Sequence, residues 1–81
     1  MHLLVYRKPG CPLCDDAEEL LDAAREKWRF TVEARNIFEQ DEWYEAYRYR
    51  VPVVVVNGTE RLELRFSAQE LDAALAAAQE S

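Results

Sequence analysis

Hydrophobic and polar positions divide the chain into short segments whose periods differ. Leu3–Tyr6 is continuously apolar, which is typical of a strand covered on both faces, so the pattern predicts a central strand. The next segment is a helical pattern that starts at Pro12, and its apolar positions are Leu13, Cys14, Ala17, Leu20, Leu21, Ala24 and Trp28. Proline suits the first helical turn because its missing N–H has no intrahelical partner to lose.

After the helical segment, apolar and polar residues alternate with a period of two. Phe30–Arg35 alternates between apolar and polar residues, as expected of a half-exposed strand at the edge of a sheet. A strand, a helix and a second strand joined in this way predict a right-handed crossover between two parallel strands.

The second half of the chain has a different layout. Glu39–Tyr47 has acidic residues at its start and an apolar side formed by Trp43, Ala46 and Tyr47, so we expect a short helix. Val51–Val56 is a buried strand with a proline near its start. Asn57-Gly58 is a strong hairpin signal, and the alternating segment Arg61–Phe66 behind it predicts an antiparallel partner strand.

A last helix closes the predicted order of elements. Ser67 and Glu70 have the spacing of a capping box, and Phe66 packing on Leu71 would add a hydrophobic staple. We expect the helix to run from Ala68 to about Ala78 and to bury its apolar positions, which are Leu71, Ala74, Leu75 and Ala78.

Composition narrows the class of protein. The chain has 81 residues, of which 49% are hydrophobic and 32% charged, so we expect one folded domain over residues 1–81. The formal net charge of −6 argues against nucleic acid or an anionic membrane as a partner. The apolar stretch after Met1 is too short for a signal sequence, and no apolar run is long enough to span a bilayer. We expect a soluble, cytoplasmic monomer.

The two cysteines carry the most informative pattern. Cys11 and Cys14 lie three residues apart at the start of the first helix, too close in sequence to staple the fold. Free N–H groups and the helix dipole favour a thiolate at Cys11, and Lys8 adds a positive charge. Asp15 and Asp16 oppose this effect, so we expect a lowered but not an extreme pKa for the Cys11 thiol. Cys11 would attack a substrate disulfide, and the shielded Cys14 would resolve the mixed disulfide.

Two segments carry a resemblance to a known family. Lys8–Cys14, with the sequence KPGCPLC, resembles the active-site segment of glutaredoxins, and Val51-Pro52 looks like their Val-Pro element. With the order of elements, the chain is identified as a glutaredoxin-like member of the thioredoxin superfamily. The resemblance implies an α/β, thioredoxin-like fold of order β-α-β-α-β-β-α, with a four-stranded mixed sheet and three helices. It also implies a small thiol-disulfide oxidoreductase.

The same resemblance implies roles for individual residues. Cys11 and Cys14 are the catalytic dithiol, and the substrate-binding positions are Lys8, Pro12, Leu13, Val51 and Pro52. In the family the proline is cis and faces the dithiol. A cis bond would leave the N–H and C=O groups of Val51 free to pair with an extended substrate chain.

Basic residues flank both segments. Arg7 and Lys8 precede the cysteines, and Arg48 and Arg50 precede Val51-Pro52. Two interpretations stay open: a positive rim that steers acidic partners, and ordinary solvated side chains.

The expected partners are a disulfide-containing protein or small-thiol substrate and an unidentified reductant. Glutathione is one candidate reductant, and we expect no bound cofactor. Glutathione-using glutaredoxins open their last helix with Gly-Gly and an acidic residue, whereas the equivalent stretch 65–70, RFSAQE, contains no glycine.

Alternative functions on the same fold are a module that binds a metal or an iron–sulfur cluster through Cys11 of two chains, and a redox-responsive adaptor. A zinc site built from Cys11, Cys14 and His2 lacks the fourth ligand that a closed site usually needs. We therefore expect no metal site within one chain.

Overall fold

A computed structural model describes residues 1–80. The elements in chain order are strand β1 (His2–Arg7), helix α1 (Pro12–Ala24), strand β2 (Thr31–Asn36), a 3₁₀ turn (Ile37–Glu39), helix α2 (Asp41–Tyr47), strands β3 (Val53–Val56) and β4 (Thr59–Glu63), and helix α3 (Ala68–Glu80). The order of strands and helices is the predicted one. The chain has an α/β, thioredoxin-like fold.

The four strands form one mixed sheet in the order β2-β1-β3-β4. β1 runs parallel to β2 and antiparallel to β3, and β3 runs antiparallel to β4. The predicted interior position of β1, the edge position of β2 and the parallel β1–α1–β2 connection are therefore confirmed. Residues at the carboxyl end of β1 lead directly into the segment that contains both cysteines.

Both faces of β1 are covered, as its continuous apolar run predicts. Leu3 and Val5 belong to a larger core that also takes side chains from α1 and α3. Tyr6 belongs to a second core on the other face, where its ring stacks on Tyr47 of α2 at 4.3 Å and meets Trp43 edge-on at 5.7 Å. The second core also contains the two cysteines. It is the core that reaches the candidate site.

Helix α1 is shorter than its apolar stripe predicts. The stripe extends to Trp28, but the helix ends at Ala24 and the chain continues in tight turns. The N–H groups of residues 25–27 donate to carbonyls three residues back, as in a 3₁₀ arrangement. The indole N–H of Trp28 donates to Asp72 of α3 at 2.9 Å. A contact with another helix therefore accounts for this apolar position.

The segment before α2 also departs from the prediction of one helix over Glu39–Tyr47. Ile37 is fully buried in a 3₁₀ turn, and the Asn36 side chain accepts the N–H of Phe38 at 2.9 Å. Gln40 is extended, so α2 begins only at Asp41. Ala46, which the stripe places on the buried side, is exposed.

Strand β4 ends earlier than the predicted segment Arg61–Phe66. Its last residue is Glu63, because Leu64 has a φ of +60°, which an extended strand does not permit. The N–H of Leu64 donates to the carbonyl of Pro52 at 2.9 Å. This contact turns the chain away from the sheet and ties it to the segment that precedes β3.

The two local motifs of the second half are confirmed. Asn57 and Gly58 have φ values of +49° and +87°, which is the left-handed pair that a two-residue hairpin requires. At α3, the Ser67 N–H donates to Glu70 and the Glu70 N–H donates to the Ser67 hydroxyl, each at 3.1 Å. No helix within residues 1–80 has the length and apolarity needed to cross a bilayer.

Candidate active site

Cys11 is the N-cap residue of α1. Its backbone is extended, its carbonyl accepts the N–H groups of Cys14 and Asp15 at 3.1 and 3.2 Å, and its Sγ accepts the Cys14 N–H at 3.3 Å. Gly10 precedes it with a φ of +70°, a conformation that favours glycine. The sulfur therefore occupies the position in which helices usually carry an oxygen cap.

Cys14 lies one turn further along α1 and is completely buried, whereas Cys11 is 7% exposed. Burial raises the pKa of the Cys14 thiol to about 12, and a hydrogen bond with Cys11 acts in the same direction. The Lys8 backbone N–H and the positive charge of Arg7 oppose this rise. At neutral pH, Cys14 is a protonated thiol beneath a more accessible sulfur.

The Val51–Pro52 peptide bond is cis, and both residues are buried beside the start of β3. Val51 belongs to the same core as the two cysteines. The prediction that its N–H is free for a substrate is wrong, because that N–H donates to the carbonyl of Tyr47 at 3.1 Å. This bond closes the carboxyl end of α2, so the Val51 carbonyl is the group of the predicted pair that stays a candidate for a substrate chain.

The other predicted substrate-binding residues surround the cysteines in different ways. Lys8 is half-buried, Pro12 is exposed in the first turn of α1, and Leu13 packs at the margin of the second core. Leu13 also lines a cavity of about 210 Å³ that extends to Leu64. The structure brings these side chains to one end of the sheet, and their roles toward a substrate stay predictions.

The four basic residues of the suggested rim are not equivalent. Arg7 bonds to Asp15 at 3.3 Å and, more closely, to Glu18, while Arg50 bonds to Glu60 and Glu63 of β4 at 2.6 and 2.5 Å. Two of the four side chains are therefore paired with neighbouring carboxylates. This count argues against a strong positive rim.

Arg48 is held differently from these two. Its guanidinium lies over the rings of Tyr44 and Tyr49, with 5.5 and 4.8 Å to the ring centroids. The sequence analysis did not predict the partners of Arg7, Arg48 and Arg50. For Arg7, the sequence feature that could have indicated its ion pairs is the row of acidic residues in the first turns of α1.

His2 is remote from the dithiol. It lies at the amino end of β1, where its ring contacts the hydroxyl of Thr31 at 2.7 Å, whereas Cys11 follows the carboxyl end of the same strand. The six-residue extended strand that begins at His2 therefore keeps the two positions apart. Within residues 1–80, no three histidine, cysteine, aspartate or glutamate side chains are grouped closely enough to hold a metal ion.

Comparison with known proteins agrees with this geometry. Residues 2–76 match the family described as "Glutaredoxin-like domain (DUF836)". The chain belongs to this glutaredoxin-like family. The match covers every element of the sheet, both cysteines and the cis proline. Membership in a glutaredoxin-like family agrees with a redox function.

Solved structures with the same fold extend the comparison. The crystal structure of protein XcR50 from X. campestris is 35% identical over 93% of this chain and 96% of its own, with a TM-score of 0.79. Protein Ne2328 from Nitrosomonas europaea is 30% identical over 89% of this chain and 87% of its own, with a TM-score of 0.76. Thioredoxin 1 from Thermosipho africanus is 15% identical over 99% and 96%, with a TM-score of 0.70, and shows the fold alone.

Proposed function

We propose that this protein is a dithiol-disulfide oxidoreductase in which Cys11 is the nucleophile and Cys14 the resolving thiol. The observation that carries the proposal is the position of Cys11 as the N-cap of α1, with its sulfur accepting the N–H of Cys14. Backbone N–H groups and the helix dipole stabilise a negative charge at that point. The S–H of Cys14, which is hydrogen-bonded to Cys11, is a further donor to the same sulfur.

In the first step, the Cys11 thiolate attacks one sulfur of a substrate disulfide. A bond forms between Cys11 Sγ and that sulfur, the substrate S–S bond breaks, and the other substrate sulfur leaves as a thiolate that takes a proton from solvent. The slight exposure of Cys11 beside the exposed Pro12 gives the substrate access to this sulfur.

In the second step, Cys14 attacks Cys11 Sγ. The Cys11–Cys14 bond forms, the bond to the substrate breaks, and the proton lost by Cys14 balances the one gained by the departing thiolate. Two electrons have then passed from the dithiol to the substrate. Burial keeps Cys14 protonated until the mixed disulfide is in place, because its pKa is near 12 in the free protein.

The class of substrate that we propose follows from the groups around the dithiol. The Val51 carbonyl offers one main-chain acceptor, and the Leu13 side chain, at the edge of the neighbouring cavity, offers an apolar contact. A disulfide-containing protein that presents an extended segment fits these two features best. For glutathione as reductant, the α3 start is unfavourable, because Glu70 already occupies that end with its own carboxylate.

A redox titration in glutathione buffers tests the proposal. We expect a Cys11–Cys14 disulfide that forms reversibly, with a potential above about −300 mV, the value below which structural disulfides usually lie. The Cys14→Ser variant should accumulate a mixed disulfide at Cys11, detected as an added mass on intact protein. A dithiol that never oxidises, or equal activity in Cys11→Ser and Cys14→Ser, would contradict the proposal.

The metal-binding alternative makes a different prediction for the same preparation. A cluster-binding module should be coloured and contain iron after anaerobic purification, and Cys11→Ser should remove both signals. The oxidoreductase should be colourless and should turn over disulfides without added metal. Iron at stoichiometric level without disulfide turnover would favour the alternative.

A further inference from the structure

Arg7 occupies a position next to the dithiol that the two steps above do not use. It is the last residue of β1, and its guanidinium bonds to Asp15 and Glu18 on the first turns of α1. The side chain is only 22% exposed. A charged group held by two carboxylates has a defined position, unlike a freely solvated arginine.

That position is on the turn of α1 that begins at Cys14. Asp15 follows Cys14 directly and Glu18 lies one helical turn beyond it, so the two carboxylates hold the guanidinium against the same turn of α1. The backbone N–H of Lys8, the residue after Arg7, also lowers the pKa of the Cys14 thiol. The end of β1 therefore acts on Cys14 through a main-chain N–H and through the Arg7 charge.

The surroundings of Cys14 explain why this charge matters. The second core is formed by aliphatic and aromatic side chains, and no charged side chain within residues 1–80 is buried. A thiolate at Cys14 therefore has no buried cation beside it. The groups that favour its charged form are the Lys8 N–H and the Arg7 guanidinium.

We propose that Arg7 is a positioning residue for the resolving step: held by Asp15 and Glu18, it stabilises the negative charge that develops on Cys14 Sγ as this sulfur attacks the mixed disulfide. The inference rests on the proposed function. It adds a residue that acts on the second step, since the Arg7 charge is among the groups that favour a thiolate at Cys14, and it predicts an unchanged first step.

The two steps can be observed separately with dithiobis(nitrobenzoate), an aromatic disulfide that releases a coloured thiolate. Attack by Cys11 releases one nitrothiobenzoate, and attack by Cys14 on the resulting mixed disulfide releases the second. Stopped-flow absorbance near pH 7 should therefore show two phases of equal amplitude. Arg7→Gln should slow the second phase about three- to tenfold, the effect of losing a partly exposed opposite charge, and leave the first phase within twofold.

Three further variants separate charge from structure. Arg7→Lys should restore most of the second-phase rate, whereas Arg7→Met, which keeps an apolar stem for packing, should be as slow as Arg7→Gln. Arg25→Gln removes the same charge at the opposite end of α1, where this side chain bonds to the carbonyl of Phe30, and should leave both phases unchanged. Urea denaturation of each variant checks that the fold is intact.

Arg7→Gln combined with Glu18→Gln identifies the active charge. The double variant should stay slow if the Arg7 cation itself acts on Cys14. Recovery of the wild-type rate would assign the effect to an unpaired Glu18 carboxylate and overturn the inference, as would an unchanged second phase in both Arg7→Gln and Arg7→Met. A wild-type protein without a second phase would instead contradict the proposed function.

Discussion

The free backbone N–H groups at the amino-terminal ends of α1 and α3 are capped by different atoms. At α3, the Ser67 hydroxyl and the Glu70 carboxylate each accept one backbone N–H at 3.1 Å, so the end is closed by oxygen in both directions. At α1, one N–H at 3.3 Å points to the sulfur of Cys11. Sulfur is a weaker acceptor than oxygen.

The difference separates a structural helix start from a reactive one. The oxygen cap of α3 satisfies the helix and has no further chemistry at neutral pH. The sulfur cap of α1 contributes less to the helix, but the same N–H groups and dipole then act on an atom that can ionise and attack. The cap with the weaker acceptor is the one that belongs to the dithiol.

Cys11→Ser converts the start of α1 into the oxygen type. We expect all disulfide turnover to be lost, because the hydroxyl is not a nucleophile toward disulfides, while the free energy of unfolding stays equal or rises by up to about 1 kcal/mol, because serine is a preferred N-cap residue. A disulfide-reduction assay and urea denaturation measure the two effects. Loss of activity together with clear destabilisation would contradict the comparison.

Alkylation distinguishes the capping sulfur from the one beneath it. At pH 7 we expect iodoacetamide to label Cys11 at least about 100 times faster than Cys14, since a thiol with a pKa near 12 is almost wholly protonated. Labelling of Cys14 should rise about tenfold per pH unit in the alkaline range, because its thiolate fraction grows until the pH reaches the pKa. Peptide mass spectrometry locates the label, and equal rates at pH 7 would refute the assignment.

Short sequence patterns correctly predicted several elements of the fold, including the cap of α3. The continuous apolar run of β1 identifies an interior strand, Asn57-Gly58 identifies the hairpin, and the Ser67–Glu70 spacing identifies the cap of α3. Each of these signals is contained within a few neighbouring residues, so no tertiary information is needed to interpret it.

The errors concern residues whose state depends on a distant partner. Trp28 continues the stripe of α1 but bonds to Asp72 beyond the helix end, and Leu64 continues the alternation of β4 but takes a left-handed conformation against Pro52. The pairing of Arg7 with Glu18 likewise requires the strand and the helix to be packed first. A pattern along the chain contains none of these distances. The Val51 N–H is an exception, because its partner is the carbonyl of Tyr47, only four residues earlier.

Removing the serine oxygen that caps α3 is expected to have the smallest effect of these variants. It tests whether this helix start is purely structural. Ser67→Ala removes the acceptor of the Glu70 N–H, and we expect a loss of about 1 kcal/mol in the free energy of unfolding, equivalent to a fall of about 4–8 °C in Tm for a domain of this size. Turnover with dithiothreitol as reductant should not change, because this end lies outside the dithiol. Ser67→Thr keeps a capping hydroxyl and should recover most of the stability. If Ser67→Ala instead abolished turnover while the protein stayed folded, the two helix starts would not be separable into a structural and a reactive one.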